Sequence, residues 1–154
     1  MEIELPQDFK ELLRSLNSNK VNYLLIGGYA VIIHGYPRFT SDMDIVIGSD
    51  ATNISRCITA LNDFGFGQTS LGPELFSEPD SLVRMGVEPI KIEILNYLKG
   101  LDFAEAYDRR ITFRIEDIEI AVISLADLIT NKAAVGRLKD RLDVEELKDR
   151  NYLI

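Results

Sequence analysis

The chain has a single cysteine and a single histidine in 154 residues. Cys57 alone excludes an internal disulfide, and no Cys/His cluster offers a zinc site. Any mechanism that needs a histidine partner must run through His34. Positive charge is also scarce: 17 Lys and Arg face 25 Asp and Glu, a net charge of −8. Affinity for nucleic acid comes mainly from neutralised phosphates, so extended nucleic-acid binding is not expected. No apolar run approaches the roughly 18–20 residues that span a bilayer, which argues against a membrane protein. The opening stretch MEIELPQDFKELL is acidic and amphipathic, unlike a signal peptide, and the expected location is cytoplasmic.

Apolar residues, by contrast, are plentiful at 46%, enough for a real core. The length favours one domain over 1–154. Phe9, Leu12, Leu13 and Leu16 recur at helical spacing and predict a first helix over Asp8–Leu16. Val21–Ile26 reads as a buried strand, broken by Gly27-Gly28, and Tyr29–His34 as a short helix packed on a sheet. Asp42–Ile47 is a second strand and Asn53–Phe64 an amphipathic helix. GFGQTSLGPE is a long turn region. Leu82–Val87 and Pro89–Leu95 predict a hairpin, with Lys91, Glu93 and Leu95 on one face. Phe103–Tyr107 is a short helix, and Ile111–Ile115 with Ile118–Ile123 a second hairpin. Ser124, three residues before Asp127, looks like an N-cap for a helix through Val135. A last helix is expected over Asp140–Leu147. This alternation with hairpins points to an α+β or mixed α/β fold, not a doubly wound parallel sheet.

The chemistry concentrates in LLIGGYAVIIHGYPRFTSDMDIVIG, Leu24 to Gly48. Asp42 and Asp44 lie two apart on a strand, so both project to one face while Met43 and Ile45 face the core. Alone, the pair fits a solvated strand end as well as a site. Two ionised carboxylates this close repel, and a divalent cation removes the conflict. Mg²⁺ takes carboxylate oxygens and keeps waters or substrate phosphates in its other positions. Glu93 on KIEIL is the candidate third carboxylate. Gly27-Gly28, where a strand gives way to a helix, lets a ligand approach the backbone N–H groups. Phosphate on that turn and metal on the carboxylates suit an in-line displacement. That chemistry needs no histidine, and His34, in an apolar helix, is read as a packed core residue.

GGYAVIIHGYPRFTSDMDIVI resembles the signature of the DNA polymerase β-like nucleotidyltransferase superfamily: a Gly-Gly or Gly-Ser turn, a short helix, then an Asp-x-Asp strand. Its form is most similar to small stand-alone prokaryotic members, relatives of which occur in toxin–antitoxin operons. LADLITNKAAVGRLKDRLDVEEL resembles a recurring C-terminal helix of the same group. The resemblance implies a nucleotidyltransferase-like mixed β-sheet with helices packed on it. It implies that Asp42 and Asp44 bind Mg²⁺ or Mn²⁺ and that Glu93 is the third metal-binding and catalytic carboxylate. Gly28 stands where the Gly-Ser form has a serine, so only backbone contacts to phosphate remain there.

Around this core, Arg38 either pairs with Asp42 or sits in solvent; the resemblance implies an Arg beside the site, where a guanidinium suits phosphate or an aspartate. Thr40 is either a nucleotide contact or a residue that shapes the loop. Lys132 is either a β- or γ-phosphate contact or a charged helix exterior. Lys139, Asp140 and Asp143 read as a salt-bridged surface. NKAAVGRLKDR and YDRRITFR are local basic clusters that suit a small polyphosphate. The expected activity is transfer of an NMP from an NTP to a hydroxyl acceptor (a protein side chain, a tRNA end or a small molecule), with pyrophosphate release. A non-catalytic or weakly catalytic partner in a toxin–antitoxin pair is the alternative, and a nucleotide sensor is a third. A small helical partner protein or a homodimer suits a chain with little room for an acceptor domain.

Overall fold

A computed structural model of the chain describes residues 3–65, 72–86 and 91–153. The first helix, α1 (Gln7–Ser18), buries Phe9, Leu12, Leu13 and Leu16 completely, as their spacing dictates. All four residues of β1 (Tyr23–Ile26) are buried, which is why this strand reads as an unbroken apolar run. Helix α2 (Gly27–Ile33) follows without a loop: the two glycines form its first turn instead of breaking the chain before it. Strand β2 (Asp42–Ile47) buries Met43 and Ile45 and turns Asp42 and Asp44 to the other face. Helix α3 (Ala51–Phe64) starts two residues earlier than its apolar pattern suggests. Its cap is Asp50, whose carboxylate accepts from the Asn53 N–H at 2.9 Å.

A 3₁₀ turn (Pro73–Phe76) precedes β3 (Leu82–Met85), which pairs antiparallel with β4 (Lys91–Leu95) as the hairpin pattern predicts. The connection at 87–90, and 66–71 of the expected long turn, lie outside the described residues. Helix α4 (Phe103–Asp108) leads to the antiparallel pair β5 (Ile111–Ile115) and β6 (Ile118–Val122). The predicted cap on α5 (Leu125–Val135) is in place: Ser124 Oγ accepts from the Asp127 N–H. Gly136, at φ +72°, ends that helix, and α6 (Leu138–Arg150) follows at once. It begins two residues before the expected start and runs three past the expected end.

The six strands form one sheet in the order β3-β4-β2-β1-β6-β5. Pairs β2–β4 and β1–β6 are parallel, while the rest are antiparallel. The fold is therefore mixed α/β, as the element pattern predicts. Parallel neighbours need a crossover. Here α3 and β3 lie between β2 and β4 in the chain, and the return sets Glu93 directly beside Asp44. Helices α1 and α3 pack on each other, tied by Ser15 Oγ donating to the Ala60 carbonyl at 2.7 Å. Helices α5 and α6 form a second pair. Among the described residues no helix is long and apolar enough to cross a membrane.

Candidate active site

Three neighbouring strands place the acidic residues. In the sheet register Ile26 of β1 lies beside Asp44 of β2, Asp44 beside Glu93 of β4, and Glu93 beside Arg84 of β3. Asp42, Asp44 and Glu93 are all half-buried. Asp44 Oδ1 is buried and has no hydrogen-bond partner among the described residues. Burial first, then the charge and hydrogen bond of Glu93 and the charge of Asp42, push its pKa from 3.8 up to about 7, with Lys132 opposing. Asp42 accepts from Ser41 Oγ at 3.2 Å. Glu93 is held by Arg84, whose Nε and Nη2 both lie 2.9 Å from its Oε1. Among the described residues no three acidic, histidine or cysteine side chains form a ready-made metal cage. Arg84 supplies a physical reason, since it neutralises the carboxylate that a third ligand would need. The donor set nevertheless suits a hard divalent cation: oxygen only, with one buried oxygen unsatisfied.

The glycines serve two different needs. Gly27 sits at φ +67°, and a Cβ there would run into the Asp44 carboxylate. Its bareness lets the backbone lie against Asp44. A Cβ on Gly28 would lie 2.6 Å from Thr40 Oγ1 and 3.3 Å from Arg38 Nη1, so this glycine admits the loop before β2. Thr40 Oγ1 donates to the Asp42 carbonyl at 3.3 Å. Arg38 does not pair with Asp42. Its Nε and Nη2 each reach Asp143 of α6 at 2.9 Å, a bidentate grip between a loop and a helix 105 positions away.

That grip belongs to a buried ionic cluster. Asp140 and Asp143 are each 1% exposed, which corrects the expectation of a surface pair. Lys132 Nζ stands 3.2 Å from Asp140 Oδ1 and 3.0 Å from Asp143 Oδ2. Lys132 is thus neither a helix exterior nor an unengaged ammonium. Its helix turns it inward, where desolvation would forbid it without two carboxylates. Arg137 closes the cluster through its Nε, 2.8 Å from Asp140 Oδ2, which also accepts the Arg137 N–H. Burial raises the Asp140 carboxyl, but hydrogen bonds and charge from Arg137 and Lys132 outweigh it, and the net shift is downward.

A cleft of about 280 Å³ opens between the sheet and these helices. Gly27, Asp44, Glu93 and Lys132 line it, whereas Gly28, Arg38, Thr40 and Asp42 are not part of its lining. Arg137 and Asn131 line it too; both fall within NKAAVGRLKDR, the first basic cluster, though the sequence singles out neither. The signal for Arg137 is Gly136: a left-handed helix stop between two helical patterns throws the next residue over the corner. The second basic cluster does not reach the cleft lining. Arg109 is bound to Asp127 and Arg114 to Glu119. His34 is half-buried, its Nε2 lies 2.7 Å from the Ile123 carbonyl, and burial lowers its pKa. It behaves as the packed residue that the apolar helix suggests.

A family profile described as nucleotidyltransferase of unknown function (DUF6036) matches residues 3–150. The chain belongs to this family. Solved structures share the fold of this chain at low identity. TM1012 of Thermotoga maritima, of nucleotidyltransferase type, superposes with a TM-score of 0.63 at 15% identity, over 92% of this chain and 90% of its own. The lincosamide antibiotic adenylyltransferase LnuA, solved with lincomycin, gives 0.61 at 20%, over 96% and 98%. An antigenic nucleotidyltransferase-like protein from Paracoccidioides brasiliensis gives 0.55 at 21%, over 90% and 72%. No curated protein sequence matches the DUF6036 chain.

Proposed function

We propose that this protein transfers a nucleoside monophosphate from an NTP to a hydroxyl-bearing acceptor. The acceptor oxygen bonds to the α-phosphorus, the bond from that phosphorus to the bridging oxygen breaks, and pyrophosphate leaves. The observation that carries this reading is Asp44: half-buried, with a sealed and unsatisfied Oδ1, beside Glu93, and pressed against a glycine at the start of a helix. Burying an ionisable group in this way is costly unless a ligand uses it.

Each residue then has a task. Asp42 and Asp44 would hold Mg²⁺ or Mn²⁺, which when bound supplies Lewis-acid stabilisation of phosphoryl oxygens. Glu93 would orient the acceptor hydroxyl and take its proton, which requires that Arg84 loosen its hold on Oε1. The bare Gly27 lets phosphate approach the backbone beside Asp44. Arg137, 70% exposed at the cleft, is the cation best placed to meet the triphosphate. Lys132 and Arg38 act through Asp140 and Asp143, fixing α6 and the loop before β2.

The test is label transfer. The full chain is incubated with each α-³²P NTP, Mg²⁺ or Mn²⁺, and a cell lysate as the source of acceptors. Label should move to an acceptor with wild-type protein and not with Asp44→Asn. Absence of both transfer and metal-dependent nucleotide binding would overturn the enzyme reading and favour a fold partner without turnover.

A further inference from the structure

The cleft has an end that phosphate chemistry does not use. Leu82 of β3 and Val135 of α5 are large aliphatic side chains left 45% and 37% exposed, and both line this cleft. Leu95 and Tyr97 add further apolar surface. One helical turn before Val135, and so on the same face of α5, lies Asn131, only 8% exposed. Its Nδ2 donates to the Lys99 carbonyl at 2.9 Å. A carbonyl can only accept, so the amide nitrogen must face Lys99 and the carboxamide cannot be reversed. Oδ1 is the group left over. Among the described residues no hydrogen bond reaches it, and it is not sealed from solvent, since among those residues the sealed and unpartnered side-chain atom is Asp44 Oδ1. An oriented acceptor thus stands beside apolar walls, in the same cleft as the carboxylates.

We propose that this end of the cleft binds the nucleobase and that Asn131 Oδ1 selects a base bearing an exocyclic amino group, adenine or cytosine. The proposal rests on the transferase reading and names the donor nucleotide for it. Ligand sites of this kind are mostly apolar, with a few placed polar groups that fix identity. Adenine and cytosine present an amino donor where guanine and uracil present a keto oxygen. Against a fixed Oδ1, the amino group completes a hydrogen bond, while the keto oxygen meets another acceptor and leaves both unsatisfied.

The experiment measures equilibrium binding of ATP, ITP, CTP and UTP to the full-length protein with Mn²⁺. Each pair, ATP with ITP and CTP with UTP, exchanges the amino group for a keto oxygen. Wild-type protein should bind the amino member of each pair about fivefold tighter or more, the size of one net hydrogen bond. Asn131→Ala should bring both ratios close to one. The wild-type comparison needs no variant, so a folding defect in Asn131→Ala would not obscure it. Equal affinities within both pairs would overturn the base assignment and leave the transferase reading standing. A ratio that survives in folded Asn131→Ala would overturn the role of Asn131. If no NTP binds in the presence of metal, both readings fall together.

Discussion

Asp44 makes this protein's stability depend on pH in an unusual direction. Its folded pKa of about 7 lies above the ordinary 3.8, so between those values the folded state holds a proton that the unfolded state has lost. Stability therefore falls as pH rises from about 4 to about 7, and the penalty remains above that. Asp44→Asn should abolish label transfer yet raise the unfolding free energy at pH 8 by about 1–3 kcal/mol, with the gain fading towards pH 5. Urea titrations at both pH values check this, and a variant that destabilises at pH 8 would contradict it. Gly27 is the other sensitive residue. At φ +67° and against Asp44, Gly27→Ala should cost about 1–3 kcal/mol in the same assay and weaken nucleotide binding. The pattern Gly-Gly to Asp-x-Asp exposes both residues in the sequence, because same-face spacing and glycine tolerance are local properties. Asn131 and Arg84 are hidden there. Their roles depend on which strand lies next to which and on a carbonyl 32 positions away.

Elements tell the same story through their ends and their pairings. The apolar spacing places α1 and α3, the Ser124 cap places α5, and alternation places the hairpins. The start of α2 is displaced because glycine in a first helical turn is indistinguishable from glycine in a break. Helix α6 conceals more. Its charged run, LKDRLDVEELKDR, suggests a solvated surface, yet Asp140 and Asp143 are buried against Lys132, Arg38 and Arg137. Only the three-dimensional pairing of a loop with a distant helix reveals why. Breaking a buried pair from one side leaves a charge without a partner. Asp143→Ala should therefore destabilise by about 3–5 kcal/mol, read from urea unfolding, and Arg38→Met by a comparable amount. Loss of the Ser124 cap by Ser124→Ala should cost only about 1 kcal/mol.

At the scale of the whole molecule, charge works against nucleic acid but in favour of a cation. The net charge of −8 repels polyanions, whereas the cleft sets Asp44 and Glu93 side by side on two inner strands of the mixed sheet. A ligand that binds only the folded state stabilises it in proportion to the logarithm of its concentration over Kd. Millimolar Mn²⁺ should thus raise the melting temperature of wild-type protein by a few degrees at pH 8 and leave Asp44→Asn unmoved. Scanning calorimetry with and without EDTA decides it, and an equal shift in both proteins would place the metal elsewhere. The mixed α/β class was legible from element order because hairpins and crossovers leave different patterns. The strand order was not, since nothing local records that β2 lies between β1 and β4.

The bidentate bond from Arg38 to Asp143 has a consequence for how the protein is made. A ribosome delivers residues in order, and Arg38 emerges 105 positions ahead of its partner. Until α6 has been synthesised, Arg38 lacks its carboxylate partner and Lys132 lacks both of its own. A nascent chain that ends before α6 holds the strands that pair Asp44 with Glu93, but not the carboxylates that tie the loop before β2 to the last helix. The last helix thus sets an order of assembly: the buried ion pairs of Arg38 and Lys132 close only after α6 has been made.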